Sequence, residues 1–319
     1  MSVSDRPSSV DICICTFRRP FLAETLGSVG NLAHEGLRVR VIVADNDGAP
    51  SAQSLVEMIG RSFPFPITYV HAPAANISVA RNACLDSASA DYVAFVDDDE
   101  TVSEGWLTAL VRTAVIGDGD VVLGPVVARY DASAPPWMAA GDFHSAVPVR
   151  VGGSILTGYT CNVLIRWQGP ARSLRFDLAL GRSGGEDTDF FYRLHDLGAR
   201  ILEAPAAVVF EPVPPSRARM SWLLQRRFRS GQTHGARLRA AGGSRIAPIG
   251  VACAKIGYCL AMTAATSFEP VGWRRSLLRA ALHAGVVGGL VGSRQAALYG
   301  GANEPVTGPA EPRSATAAN

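Results

Sequence analysis

The stretch "DYVAFVDDDET", Asp91 to Thr101, joins an apolar run, Tyr92 to Val96, to four consecutive acids, Asp97 to Glu100. The apolar part is short, aromatic and β-branched and is bounded by polar residues, which predicts a buried strand. Side chains two apart in an extended segment point the same way, so Asp97 and Asp99 share a face and Asp98 takes the other. Adjacent carboxylates repel one another, and the pair costs stability unless water or a cation neutralises it. Such a run is either a solvated turn or a hard-cation site at the carboxyl end of a strand, where open α/β sheets bind ligands.

The neighbouring segments favour an open sheet. "VDICICTF" (10–17), "VRVIVADND" (39–47) and "ITYVHA" (67–72) read as further strands, with helices expected over 19–32, near 51–61, over 76–88 and from Ser103 onward. This βαβαβαβ order predicts a mostly parallel sheet flanked by helices. Beyond it, 120–130, 158–167 and 199–212 each read as one strand, and 184–198 as a Gly-led loop entering a helix. Three acidic groups then fall at comparable places: Asp45 with Asp47 after the second strand, Asp97 to Asp99 after the fourth, and Glu186 with Asp187 at a helix start. Strand ends of a parallel sheet share one rim, so these carboxylates are expected to meet in one cleft.

Charge is divided sharply along the chain. Residues 1–214 carry 16 Arg and no Lys against 25 acids, whereas residues 215–300 carry 12 Arg and Lys255 against Glu269 alone. The first part calls for cations, and the second for anions such as phosphates or lipid headgroups. Its basic helix, from 219 onward, precedes two apolar stretches rich in small residues, 246–268 and 277–294. That coincidence predicts peripheral attachment to an anionic membrane, set against a helical pair packed on the catalytic part. Nucleic acid is not expected as a partner, because no nucleic-acid module accompanies the arginines. The six cysteines form no CxxC pair, and "MSVSDRPSSV" has no apolar signal core, so a reduced, cytoplasmic, non-secreted chain is expected.

The ordered set "ICTFRRPFLAETLGSV", "VRVIVADNDGAPS", "NISVARNACLDSASADYVAFVDDDE", "TGYTCN" and "GGEDTDFFYRL" resembles the inverting glycosyltransferases of family 2, over about residues 10–230. Within that family, "FVDDDETVS", "GDFHS", "SGGEDTDFF" and "RRFRSGQTHG" look like the glucosyltransferases that extend lipid-linked repeat units of succinoglycan-type exopolysaccharide. The resemblance implies a GT-A type α/β fold with a C-terminal helical, membrane-associating region. It implies a flexible N-terminus over 1–9, a catalytic domain over 10–215, a basic and apolar region over 216–298 and a disordered tail over 299–319. The implied reaction adds one sugar, glucose from UDP-glucose in β-1,4 linkage, to a lipid-diphosphate-linked oligosaccharide at the cytoplasmic face of the inner membrane. Glucuronosyl or galactosyl transfer is the alternative within the family; a nucleotidyltransferase or a non-catalytic membrane scaffold is the alternative outside it.

Residue roles follow from the same resemblance. Asp97 and Asp99 match the family's DxD motif and would hold Mg²⁺ or Mn²⁺, with Glu211 standing where relatives often place a third, histidine ligand. Thr16, Phe17, Arg19, Asp45, Asp47, Arg81, Asp97 and Asp98 would contact the nucleotide sugar. Asp187 matches the catalytic base, and Glu186, Tyr159 and Arg227 would face the acceptor. The QxxRW motif of processive members is out of register in "QRRFR" (225–229), so addition of a single sugar is expected.

Overall fold

The computed structural model describes residues 8–293. Most of the expected N-terminal segment and the whole of the expected tail lie outside these residues.

In chain order the elements are β1 (Ser9–Thr16), α1 (Leu22–Gly30), β2 (Arg38–Asp45), α2 (Gln53–Gly60), β3 (Ile67–His71), α3 (Ile77–Ser87), β4 (Tyr92–Val96), β5 (Thr101–Val102) and α4 (Trp106–Gly117). Then follow β6 (Val121–Leu123), β7 (Val126–Tyr130), α5 (Pro136–Gly141), β8 (Arg150–Val151), β9 (Ser154–Ile155), β10 (Asn162–Arg166), α6 (Pro170–Ser173), α7 (Glu186–Asp196), β11 (Ile201–Glu203) and β12 (Val209–Val213). Three helices close the described chain: α8 (Met220–Ala240), α9 (Ile246–Ala265) and α10 (Gly272–Val291).

The main sheet has the order β11-β6-β10-β4-β1-β2-β3. Its β4-β1-β2-β3 half is parallel, and β10 enters antiparallel between β4 and β6. Both faces are covered, which is why β4 is buried at every position and reads as a continuous apolar run. Ile12, Ile14, Val41, Val43, Ala94 and Val96 pack toward α1 and α4, among them Leu26, Trp106 and Leu110. Their neighbours Cys13, Ile42, Val93 and Phe95 pack the other way, toward Ala80 and Cys84 of α3 and Phe190 and Phe191 of α7. The two-residue period of the strands thus feeds two separate cores.

Two stretches expected as single strands are each broken between sheets. The 120–130 segment divides at Gly124-Pro125 into β6 of the main sheet and β7 of a small sheet, β5-β12-β7, and the 199–212 segment divides likewise into β11 and β12. Proline lacks a ladder donor, and a Cβ on Gly124 would collide with the Ala207 carbonyl, so the chain changes sheet there. Asn162 fastens the crossing. Its amide donates to the carbonyls of Pro125 (2.9 Å) and Ala207 (2.8 Å), and its oxygen accepts from the Trp106 indole (2.7 Å).

Among the C-terminal helices, α8 and α10 pack so closely that glycines are required. A Cβ on Gly231 would strike the Leu282 carbonyl, and one on Gly285 the Phe228 carbonyl. By contrast α9 is loosely held: its apolar window has a mean hydropathy of 1.5 and is only 11% buried. By length and composition it could cross a membrane.

Candidate active site

Topology puts the acids on one rim. β1 and β2 are in register with Thr16 opposite Asp45, and β4 runs parallel beside β1, so Asp45 and the Asp97–Glu100 run emerge at the same end. The antiparallel β10 starts where β4 stops, with Asn162 opposite Val96, and this delivers Cys161 to the rim. The acid run itself is the turn from the main sheet into β5. β12 pairs with β5 at Phe210 and Thr101, which carries Glu211 alongside.

The turn is tight and dry. The Glu100 amide donates to the Asp97 carbonyl (3.3 Å), and the Asp97 amide donates to the Glu100 carboxylate (3.2 Å). Burial is the main cause that pushes both Asp97 and Asp98 up to about 7, and the neighbouring Asp99 charge adds to it. Arg81 opposes the shift at Asp97, and Arg19 opposes it at Asp98. Burial likewise raises Glu100 and Glu211.

Arginines from distant parts of the chain answer these charges. Arg19, after β1, lies 3.5 Å from Asp98 and 3.7 Å from Asp99. The Phe17 amide donates to Asp98 at 3.4 Å. Arg217, after β12, bridges Glu211 (2.7 Å) and Asp99 (3.2 Å). Its backbone is anchored by His144, whose Nε2 lies 3.1 Å from the Arg217 carbonyl while Nδ1 lies 3.1 Å from the Tyr130 hydroxyl. His144 also stacks on Trp222 at 5.2 Å, and burial pushes its pKa down to about 4, so the ring is neutral. Neither Arg217 nor His144 stood out as a site residue in the sequence; "GDFHS" was the one hint.

The third arginine, Arg81, projects from α3 onto α7 and forms a buried ion pair with Glu186. The pairing is built by a seam between α3 and the loop before α7. Asn76 caps α3 by accepting from the Ser78 amide (3.0 Å) and donates to the Leu178 carbonyl (2.9 Å), while Asn82 exchanges hydrogen bonds with the Phe176 backbone. Gly185, at φ +94°, then turns the chain into α7 in a conformation that glycine adopts without strain. Asp187 follows. Its Oδ1 accepts from the Thr188 amide (2.6 Å) and hydroxyl (3.3 Å), and α7's N-terminal dipole favours its charge.

The remaining expected residues sit apart from this network. Asp45 is fully buried, and its carboxylate accepts from the amides of Ala52 (2.8 Å) and Asp47 (3.1 Å) and the Tyr69 hydroxyl (2.8 Å). Asp47 is gripped by Arg18, residue 19's neighbour, at 2.8 and 2.9 Å, and that pairing holds its carboxyl below the usual range. The Tyr159 hydroxyl donates to the Gly124 carbonyl at 2.7 Å. Arg227 points into a cavity among the C-terminal helices; the charge that reaches Glu211 from α8 is that of Arg226. Asp189 of α7 pairs with Arg193 one turn on at 2.8 Å.

The donor set suits a hard divalent cation. Ligand atoms of Asp97, Glu100 and Cys161 lie within 4.8 Å of one another, and the carboxyl oxygens of Asp99 and Glu211 adjoin them on the rim. Burial raises the Cys161 thiol well above its ordinary value, so the oxygens of Asp97, Asp99, Glu100 and Glu211 are the better ligands. Arg217 now stands between Asp99 and Glu211, the two acids expected to complete the set with Asp97.

Comparisons with known proteins agree with this geometry. The glycosyl transferase family 2 profile matches residues 11–168. The chain is 53% identical over 299 residues to the succinoglycan biosynthesis protein ExoM of Rhizobium meliloti, covering 91% of this chain and 96% of that one. It is 28% identical over 188 residues to a pre-mycofactocin glycosyltransferase of Mycobacterium tuberculosis, covering 54% of this chain and 37% of that one. Its fold is similar to that of the mannosyltransferase PcManGT from Pyrobaculum calidifontis, solved with GDP-Man and Mn²⁺, with a TM-score of 0.60 and 18% identity over 88% of each chain. The S. aureus TarS fragment 1–349 shares the fold at a TM-score of 0.52 and 15% identity, over 88% of this chain and 90% of that one. The chain belongs to glycosyl transferase family 2 and is a glycosyltransferase built on a GT-A like α/β fold with a mixed sheet.

Proposed function

We propose that this enzyme is a metal-dependent, inverting transferase that moves one sugar from a UDP-sugar, UDP-glucose by the resemblance, to a lipid-diphosphate-linked oligosaccharide in exopolysaccharide synthesis. The observation that carries the reading is the gathering of Asp97, Asp98, Asp99, Glu186 and Asp187 on one rim with Arg19, Arg81 and Arg217 among them. The name of the Rhizobium relative supports the pathway, and the Mn²⁺ of the Pyrobaculum neighbour supports a divalent ion. The basic α8 and the exposed, apolar α9 support a peripheral position on the cytoplasmic face of the inner membrane.

In this reading Thr16, Phe17 and Arg19 line the nucleotide end of the cleft. Asp45 and Asp47 act there through the turn they pin, from Asp47 to Ala52. Asp97 and Asp99, with Glu100 or Glu211, would hold Mg²⁺ or Mn²⁺, which when bound would supply Lewis-acid stabilisation of the charge on a departing diphosphate. Arg19 and Arg217, each already on a carboxylate of the run, would offer charge-assisted hydrogen bonds to the donor's diphosphate. Asp187 is the base. Thr188 fixes one of its oxygens, and the other takes the proton of the acceptor hydroxyl as that oxygen attacks the anomeric carbon from the face opposite the leaving group. Glu186 and Arg81 orient the start of α7, and Tyr159 shapes the acceptor side.

Titration calorimetry with UDP, first with Mn²⁺ or Mg²⁺ and then with EDTA, tests the reading. Binding that needs the ion is expected. Equal binding in EDTA would remove the metal from the proposal. UDP release from UDP-glucose, UDP-galactose and UDP-glucuronate, assayed with lipid-linked oligosaccharide, then ranks the donors.

A further inference from the structure

A cavity of about 640 Å³ opens between α5 and the three C-terminal helices, and none of the rim acids lines it. Its wall carries Arg227 of α8, Lys255 of α9 and Arg275, Arg279 and His283 of α10, against the single lining acid Asp142. Among the described residues, no carboxylate lies within ion-pair distance of Arg227, Lys255 or Arg279. Arg275 spends one donor on the Gly141 carbonyl at 3.3 Å. The crowding is felt by the groups themselves. Burial, then the charges of Lys255 and Arg279, push the His283 pKa down, and burial with Arg226 does the same to Arg227.

Four cationic side chains against one lining acid leave the cavity with an excess of positive charge, which an entering anion would offset. The volume is that of a small-molecule site. The floor is apolar, with Phe143, Cys259, Leu278 and Leu282. The adjoining α9 leaves Ile246 83%, Val251 55%, Tyr258 66% and Leu260 49% exposed. A soluble anion would have no use for that apolar surface, whereas an anion carrying hydrocarbon would cover part of it.

We propose that this cavity binds the phosphate headgroup of a membrane phospholipid, whose acyl chains lie along the exposed face of α9. The inference rests on the membrane-side reading of α8 to α10 given above, but it concerns binding alone and involves no donor, acceptor or transfer step. The site would fix the depth and tilt at which the catalytic domain sits on the bilayer.

The test is calorimetric binding of dihexanoyl phosphatidic acid to the full chain, in parallel with flotation on phosphatidylcholine vesicles with and without phosphatidylglycerol. The double variant Lys255→Gln, Arg279→Gln changes two exposed side chains and leaves the fold alone. Each charge near an anionic headgroup is worth about fivefold in affinity, so this variant is expected to lose about thirtyfold. The charge-matched control Arg61→Gln, Arg112→Gln, on the catalytic part and outside the cavity lining, is expected to stay within about twofold. Equal losses in both variants would overturn the site, because they would mean general attraction of a basic protein to anionic lipid. Inorganic phosphate binding as tightly as the lipid would overturn the role of α9. Geranyl diphosphate binding far more tightly than phosphatidic acid would reassign the cavity to the acceptor's own headgroup. Since UDP binding is measured separately, loss of this site and failure of the proposed transferase chemistry are told apart.

Discussion

Removing Arg81 should destabilise the protein far more than removing the pair to which it belongs. The side chains of Arg81 and Glu186 are only 6% and 3% exposed, and Glu186 Oε2 has no hydrogen-bond partner, so the guanidinium is what compensates that carboxylate. Arg81→Ala leaves a buried carboxylate without its counter-charge, a change that typically costs about 3–5 kcal/mol. For a chain of this size that corresponds to a melting temperature lower by about 10 °C. The double variant Arg81→Met, Glu186→Leu removes both charges and should recover most of the loss. It should not recover all of it, because Arg81 also counteracts the upward shift of Asp97. The pH dependence has a definite sign. Burial already raises Glu186, and Arg81 opposes that rise, so without Arg81 its folded pKa climbs further above the unfolded value. Between those two values the native state holds more protons than the unfolded state, and stability falls as pH rises through the window. The deficit of Arg81→Ala should therefore be larger at about pH 8 than at about pH 5.5 in urea unfolding. A single variant that loses under about 1 kcal/mol, or a double variant no better than the single, would mean that Arg81 is not what compensates Glu186.

Three further outcomes are expected. Asp99→Ala should abolish the metal-dependent part of UDP binding in calorimetry, and a variant that keeps it would take Asp99 out of the ligand set. Asp187→Asn should bind UDP nearly as wild type while turnover falls about 10²–10⁴-fold, the range for loss of a general base, as read by UDP release. His144 has its folded pKa lowered to about 4. Its unfolded form binds more protons between that value and its usual one, so it contributes stability that is lost as pH falls through the window. His144→Gln should consequently show a shallower acid loss than wild type, by up to about 3 kcal/mol between pH 7 and pH 4, in paired urea titrations.

The parts of the fold legible in the sequence are those with local signals. β1, β2 and β4 announce themselves because strands covered on both faces become unbroken apolar runs, and the acids at their ends mark the rim. Trp106, Leu107, Leu110 and Val111 recur at helical spacing and are all buried. What escaped depends on pairing across the chain. Nothing in "CNVLIRW" distinguishes an antiparallel β10 from a parallel one, since both present the same buried faces. The divisions at Gly124-Pro125 and after Glu203 were hidden because each half, taken alone, reads as strand. The Arg217 bridge depends on residues as far apart as Asp99 and Glu211, and its anchor, His144, lies 73 residues away. Arg226 and Arg227 look interchangeable in "QRRFR", yet consecutive helical side chains diverge by about 100°, which sends one toward the acids and the other into the cavity among the C-terminal helices.

The charge balance of the rim bears on how a donor could enter it. Asp97, Asp98, Asp99, Glu100, Glu186, Asp187 and Glu211 outnumber the guanidiniums whose charges reach them, those of Arg19, Arg81, Arg217 and Arg226. Asp97 and Asp98 are pushed to about 7, so near neutrality the rim already eases its repulsion by holding protons. A nucleoside diphosphate adds negative charge to this surplus, and by itself it would be repelled. The arginines cannot serve both sides in full, since Arg19 and Arg217 are each engaged with the acid run. Productive binding therefore calls for positive charge beyond the side chains. A divalent cation held by Asp97 and Asp99, as proposed above, would supply it, in competition with the retained protons and with Arg217 for those carboxylates. In these terms Arg217, which bridges Asp99 and Glu211, is one of the charges that let a folded protein carry the four-acid run.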